Sequence, residues 1–321
     1  MNETTLICLV NFRRGEDTVA CVESLLNLRG VSFHISICDN SPSHPSSSIL
    51  REFLTSRNSD PTHSHAGDSF KVKIGAVFVL YSAHPNNPGF AAGNNIAARA
   101  ARTLQDFEYY WLLNNDTEVD SDCLMEMLRK MRRSEKYGMC GSTILYHYDK
   151  KTIQVQGGST YSKWWGTMSE IGNGSLWPLA ADELYIEQNL DYVCGASMLV
   201  STNVVSDIGF MREDYFLFFE EIDWCERARR AGYSLAYASK AIVYHKEGVA
   251  IGTGTGAKRS LLAEYYGMRN RLLVAWRLFP WTFPTVWLIG WLQVLRRTMQ
   301  RRPANAWLMA KVLCGFGKRP V

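Results

Sequence analysis

The chain has 321 residues, 46% hydrophobic and 21% charged, with a formal net charge of +4. That length allows one large α/β domain with an appendage, and the composition excludes a disordered or fibrous protein. The charge is unevenly placed: beyond Glu264 there is no Asp or Glu but ten Lys or Arg follow, which leaves the first 264 residues at −6.

Residues 5–12, TLICLVNF, form a continuous apolar run that predicts a strand buried on both faces, hence a parallel sheet. GEDTVACVESLLNLRG follows with helical apolar spacing and Gly30 as its stop, and FHISICDNS is the next strand. A Ser/Pro/His-rich stretch over 41–68, with a short helix at 47–54, leads to VKIGAVFVLYS, read as a third strand. Helix NNIAARAARTL, strand YYWLLNND, helix CLMEMLRKMRR and strand YGMCGSTILY continue the alternation. The fold class is therefore α/β, a mostly parallel, doubly wound sheet with function at the strand C-termini.

Residues 149–191 show little periodicity and predict irregular loops or short antiparallel strands over the site, followed by a buried element at YVCGASMLVS. After His245, the glycines of KEGVAIGTGTGAKRS predict a mobile loop before a helix starting near Lys258. In the basic tail, LFPWTFPTVWLIGWLQVLRR is apolar but interrupted by Pro280 and Pro284, and falls short of the roughly 20 clean residues of a spanning helix. Five of the ten tryptophans lie after Glu264, so this region reads either as an anionic-membrane interface or as a helical pair packed on the domain or forming a homodimer. No nucleic-acid-binding motif accompanies the charge.

The eight cysteines are scattered without a C-x-x-C pair, against a zinc knuckle or disulfide framework and in favour of a reducing cytoplasm. No export signal is read at the start, and the sequons at Asn2, Asn115 and Asn173 receive no weight.

The turn after the first strand lacks G-x-G-x-x-G, and no G-x-x-x-x-G-K-[ST] occurs, which removes most support from dehydrogenase and P-loop readings. Polar residues instead gather after successive strands: Asn11, then Asp39 and Asn40, then Asn114, Asn115 and Asp116. Taken singly, each is more often a turn or cap residue than a ligand. In NNPGFAAGNN, Gly89 and Gly93 would let backbone approach a ligand and the helix from Asn94 would present amides to a phosphate; a tight loop with an Asn cap is the alternative. Asp116 stands where a carboxylate can hold a hard divalent ion against a diphosphate. His245 ends the strand AIVYH as a further ligand or phosphate contact, or as a surface residue.

YFLFFEEIDWCERARRAGY sets Glu220, Glu221 and Asp223 behind a wall of aromatics. These carboxylates suit a helix's first turn, and Asp223 and Arg227 can pair at i, i+4. The same arrangement can raise one carboxylate's pKa, suiting it to take a proton from a hydroxyl.

The ordered motifs CDNS, NNPGFAAGNN, LLNNDTEVD, VCGASMLVSTNVVSDIGFMREDYFLFFEEIDWCERARRAGY, YHKEG and YYGMRNRLL resemble family 2 glycosyltransferases of the rhamnosyltransferase-like group, from about Thr5 to Leu273. The resemblance implies a GT-A fold and an inverting transfer from a nucleoside diphosphate sugar, with dTDP-rhamnose the first donor and UDP-sugars, galactofuranose donors included, as alternatives. It makes Asp39 the base-contacting aspartate with Asn11 nearby, and extends the donor site to Asn40, Gly89, Gly93, Asn94 and Asn115. Asp116 becomes the last acid of a D-x-D-type motif holding Mg²⁺ or Mn²⁺, completed by His245; with Asn114 and Asn115 before it, one acid is present. Glu221 becomes the catalytic base, with Glu220 and Asp223 in contention and Arg227 matching the family's arginine. The expected division is a catalytic domain over 1–257, donor half about 1–120 and acceptor half about 121–257, and a basic helical region over 258–321. The implied acceptor is a glycan or polyprenyl-diphosphate-linked glycan of a cell-surface polysaccharide such as O-antigen, met at the cytoplasmic membrane face. The rivals are a nucleotidyltransferase, whose glycine-rich loop is missing, and a catalytically silent nucleotide-sugar-binding scaffold.

Overall fold

The computed structural model describes residues 4–60, 68–102, 104–178, 182–246, 260–315, 317 and 319. In chain order come β1 (Thr4–Asn11), α1 (Gly15–Leu25), β2 (Ser32–Asp39), α2 (Pro45–Ser56), β3 (Ser69–Ile74), β4 (Val77–Ala83), α3 (Phe90–Ala101) and β5 (Tyr109–Asn114). Then follow β6 (Thr117–Val119), α4 (Cys123–Met131), β7 (Tyr137–Tyr146), β8 (Ile153–Gln156), β9 (Gly158–Ser162), β10 (Thr167–Glu170), α5 (Glu183–Asn189) and β11 (Tyr192–Val193). The remainder is β12 (Ser197–Ser201), α6 (Thr202–Ile208), α7 (Glu220–Arg230), β13 (Ser234–His245), α8 (Leu261–Leu278), α9 (Phe283–Met299) and α10 (Pro303–Leu313). The expected glycine-rich loop after His245 lies outside the described residues apart from its two ends.

One sheet crosses the molecule in the order β3-β4-β2-β1-β5-β12-β7-β13-β6, with β8 on β7. β1 sits between β2 and β5, parallel to both, and Leu6 to Leu9 have no solvent exposure, as an all-apolar run requires. The parallel expectation holds over β4-β2-β1-β5, and again between β7 and β13. Between these blocks β12 runs antiparallel to both β5 and β7, so the whole sheet is mixed. VKIGAVFVLYS is not one strand but belongs to the hairpin β3-β4, turned at Gly75 with φ +59°. One apolar layer packs α1, α2 and α4 on one face; the other packs α3, α6, α7 and α8 on the opposite face.

Residues 149–191 supply β9, which pairs antiparallel with β10 and β11, as expected, together with α5. That helix is fixed by the buried Lys130 ammonium, 2.8 Å from Glu183 and 2.7 Å from Glu187. In the tail, Pro280 starts a 3-10 turn and Pro284 lies in the first turn of α9, where a missing N–H costs nothing. Among the described residues no helix is long and apolar enough to cross a membrane.

Candidate active site

The C-terminal ends of β1, β2 and β5 open onto a cavity of about 1230 Å³. Phe12 and Arg13 line it after β1, Asn40 and Ser41 after β2, and Asn114 to Asp116 at the end of β5. The opposite wall comes from Gly89 and Phe90, from Phe216 and Leu217, and from the C-terminal region through Leu261 and Arg319. The basic region thus contributes directly to this cavity.

Asn11 and Asp39 lie behind the wall. Both are fully buried, and Asn11 Nδ2 donates to Asp39 Oδ1 at 2.9 Å. Ser41 N donates to the same oxygen at 2.9 Å, and the Tyr81 hydroxyl donates to Oδ2 at 2.6 Å. Asp39 thereby ties the β2 turn to β1 and β4, and its neighbours Asn40 and Ser41 line the cavity. Asn115 is tied inward as well, Nδ2 donating to Thr18 Oγ1 at 2.8 Å.

The two expected ligand glycines separate. Gly89, at φ +95°, lines the cavity, and an added Cβ there would lie 2.5 Å from the Phe216 carbonyl oxygen. Gly93 instead lets α3 pack on β1, since its Cβ would meet Val10 at 2.9 Å. Asn94 is buried and donates to the carbonyl of the wall residue Phe90 at 3.1 Å. The first amide of α3 is already occupied, Phe90 N donating to the Phe216 carbonyl at 2.7 Å. Of Gly89, Gly93 and Asn94, only Gly89 lines the cavity directly.

Asp116 and His245 come together from β5's end and β13's end. His245 Nε2 stands 3.2 Å from Asp116 Oδ1 and 3.2 Å from Asn114 Nδ2, while Nδ1 meets Gln154 Oε1 at 2.9 Å. Gln154 accepts from Nδ1–H and so turns Nε2 toward the carboxylate. Burial pushes Asp116 upward, but the His245 hydrogen bond, the imidazole charge and Asp116's own backbone amide hold its carboxyl below the usual range. A carboxylate oxygen beside an imidazole nitrogen is a donor pair that fits Mn²⁺ or Mg²⁺. Among the described residues no group of three or more His, Cys, Asp or Glu could hold a metal, so this pair alone would leave most of such an ion's coordination positions open.

The aromatic loop leading into α7 is bent against its own preferences. Phe216, Phe218 and Phe219 have φ of 64°, 67° and 73°, a region bulky side chains avoid. Asn270 of α8 holds it: its fully buried Nδ2 lies 2.8 Å from the carbonyls of Tyr215 and Leu217 and 2.9 Å from that of Phe218. Phe216 also stacks on Tyr266 at 4.7 Å.

The carboxylates after this loop have different fates. Asp223, fully buried, is bound by Arg227 at 2.7 Å, Arg212 at 2.8 Å and the Tyr215 hydroxyl at 3.2 Å. Arg227 also donates to the carbonyls of Ile208 and Phe210. This pair locks the preceding chain to α7, so Asp223 leaves the contest for a base. Glu221 has no cation partner among the described residues and lies over Gly195, where an added Cβ would stand 2.5 Å from its Oε1. Because Asn114 N donates to the Ala196 carbonyl at 3.0 Å, Gly195 lies beside the end of β5. Glu221 is thus brought next to the strand end that carries Asp116 without itself lining the cavity. Burial raises its carboxyl to about 7.

Glu220 is buried, with Oε2 lacking a hydrogen-bond partner among the described residues. Burial, then the charge of Glu221, push it well above the usual carboxylate range. A folded-state pKa above the unfolded one means proton uptake on folding, so the associated stability is present at low pH and lost as pH rises through the raised value. Glu220→Gln is expected to flatten that alkaline decline in the unfolding midpoint, read by thermal unfolding across mildly acid to mildly alkaline buffers; an unchanged decline would show that another group causes it.

Sequence reading missed Gln154, Gly195 and Asn270. Gln154 had no local signal, while Gly195 in VCGAS and Asn270 in YYGMRNRLL sat inside quoted motifs without an assigned task.

A mixed sheet with a nucleotide-sized cavity at its strand ends, an acid and a histidine at its edge and a carboxylate-bearing helix beside it is the GT-A architecture of glycosyltransferases. The sequence profile described as Glycosyl transferase family 2 matches residues 6–209, and the chain belongs to this family. The low-salt glycan biosynthesis hexosyltransferase Agl10 of Haloferax volcanii is 26% identical over 216 residues, covering 65% of this chain and 66% of the relative, just under two thirds of its length. Among solved structures, mannosyltransferase PcManGT from Pyrobaculum calidifontis, in complex with GDP-Man and Mn²⁺, superposes with a TM-score of 0.53 at 10% identity, covering 96% of this chain and 79% of that one. TarS of S. aureus gives a TM-score of 0.55 at 10% identity, covering 98% and 83%.

Proposed function

We propose that this family 2 glycosyltransferase moves a hexosyl group from a nucleoside diphosphate sugar to a hydroxyl of a glycan or polyprenyl-diphosphate-linked acceptor, inverting the anomeric carbon. The observation that carries the reading is the Glu221 carboxylate, without a cation partner among the described residues, lying on Gly195 beside the strand end that bears Asp116. Glu221 takes the proton of the acceptor hydroxyl as that oxygen bonds to the anomeric carbon. The bond from that carbon to the diphosphate oxygen breaks on the opposite face, and the nucleoside diphosphate departs with the electron pair. Asp116 and His245 would hold a divalent ion, which when bound would supply Lewis-acid stabilisation of the leaving diphosphate. Asn40, Ser41 and Gly89 form the donor-facing wall.

dTDP-rhamnose is the first donor, because the ordered motifs are most similar to the rhamnosyltransferase-like group; UDP-sugars, galactofuranose donors included, are the alternative. The Haloferax relative's role in glycan biosynthesis supports a place in polysaccharide assembly, and the Mn²⁺ of PcManGT supports a metal. We assign residues 1–257 to catalysis, with donor binding in about 1–120 and acceptor binding in about 121–257, and 258–321 to attachment at the cytoplasmic membrane face or to a homodimer. A second reading, a silent nucleotide-sugar-binding scaffold, draws on the single acid in Asn114-Asn115-Asp116.

The test is calorimetry and thermal shift against dTDP-rhamnose, UDP-galactose, UDP-galactofuranose, UDP-GlcNAc and GDP-mannose, with and without Mn²⁺. One nucleotide sugar is expected to raise the unfolding midpoint in a metal-dependent way that Asp116→Ala abolishes. Stabilisation by none of them with metal present would overturn the donor assignment, and metal-dependent binding without turnover on any acceptor would favour the scaffold.

A further inference from the structure

The outer side of α9 carries a stripe that the fold leaves uncovered. Thr285, Leu288, Leu292, Leu295 and Met299 follow at spacings of three and four and are all exposed, the three leucines by more than half. The turn joining β9 to β10 meets the start of this stripe. Thr285 Oγ1 donates to the Trp164 carbonyl at 3.1 Å, and Gly166 lies so close to Val286 that an added Cβ would come within 3.2 Å of it. Trp164 and Trp165 on that turn are exposed, as are Trp276 and Trp281 at the α8-α9 corner, where Trp276 meets Phe283 edge-on at 5.6 Å. Two segments more than a hundred residues apart in sequence thus present tryptophans to solvent at one end of one apolar stripe.

Charge decides what would cover this face. Arg296, Arg301 and Lys311 are exposed with no carboxylate partner among the described residues, and no acidic residue follows Glu264. A second copy docked through the same C-terminal face would bring more cations to it and, with no Asp or Glu after Glu264, no acid from that region to pair them. An anionic bilayer surface meets all three features: headgroups for the cations, the boundary region for the tryptophans, and acyl chains for the leucines.

We propose that α9 and the β9-β10 turn together form a docking face for a membrane bearing anionic lipids, with Trp164 and Trp165 as a second point of insertion beside the helix. This rests on the assignment of the C-terminal region to a membrane, and it adds a contribution from the acceptor half that orients the molecule on the bilayer.

Vesicle flotation of the full-length chain tests it without reading turnover, so its failure is separate from a failure of the transferase reading. Vesicles of phosphatidylglycerol with phosphatidylcholine are expected to carry the protein up, phosphatidylcholine alone to carry much less, and added salt to release it. Leu288→Glu/Leu292→Glu and, separately, Trp164→Ala/Trp165→Ala should each weaken partitioning by about tenfold or more. Arg296→Ser/Arg301→Ser should weaken only the anionic-lipid component. Circular dichroism and the unfolding midpoint identify any variant that fails to fold, and the Arg and Trp pairs keep the test open if the Glu pair does. Absence of vesicle binding, with a dimer in light scattering that Leu288→Glu/Leu292→Glu breaks, would overturn the proposal in favour of a second copy. Binding unchanged by all three pairs would assign it to another surface.

Discussion

Glu221→Gln is expected to lower turnover by about 100- to 10,000-fold while leaving nucleotide-sugar affinity unchanged. Gln has the same shape, so it keeps its place over Gly195 and the start of α7, but it cannot take a proton from the acceptor hydroxyl. Affinity is spared because Glu221 does not line the donor cavity. The wild type carries a second signature. Burial raises the Glu221 carboxyl to about 7, and a base works only when ionised, so kcat/KM should fall on the acid side of about 7. In Glu221→Gln the residual rate should lose that acid limb. Initial rates against pH, with donor affinity from calorimetry, read both effects. Gly195→Ala should give a milder version of the same defect, because its Cβ would displace Oε1 from a 2.5 Å approach. A Glu221→Gln enzyme retaining its rate would move the base elsewhere, with the buried Glu220 next in line.

What could be read in advance divides by range. β1 and β5 were legible because strands covered on both sides are continuous apolar runs, and the polar residues ending them marked where a cavity should open. β12 reads equally well as an apolar run, yet its antiparallel insertion between β5 and β7 is a pairing choice that no short-range pattern encodes. VKIGAVFVLYS was read as one strand because a single glycine in an apolar run does not announce a hairpin, although Gly75 is its turn. Asp39 and Asp223 were visible as carboxylates, but their partners Tyr81 and Arg212 lie at positions that local spacing does not connect, so those contacts were hidden. The Asp223 and Arg227 pair, four residues apart on α7, was the legible part of that network.

Asn270→Leu is expected to produce the largest loss of stability outside the apolar core. Its Nδ2 is the donor shared by three carbonyls, and leaving buried acceptors unsatisfied costs about 1–3 kcal/mol each, less than additively when one donor serves several. The same loop holds three phenylalanines at positive φ, conformations that cost on the order of 1–3 kcal/mol each and persist only when their surroundings enforce them. Removing the amide releases that enforcement, so the loop should relax toward ordinary backbone angles and carry Glu220 and Glu221 with it. Several kcal/mol of stability should go, read by urea unfolding. At a temperature where the variant remains folded, kcat should fall more than KM rises, because Phe216 and Leu217 touch the cavity while the proposed base, Glu221, follows them. Asn270→Asp is a sharper control. It keeps the volume but sets a carboxylate oxygen against carbonyls that need a donor, so it should be no better than leucine. If Asn270→Leu kept both stability and kcat, the stacking of Phe216 on Tyr266 of α8 and the hydrogen bond from Phe90 N of α3 to the Phe216 carbonyl would be enough to hold the loop.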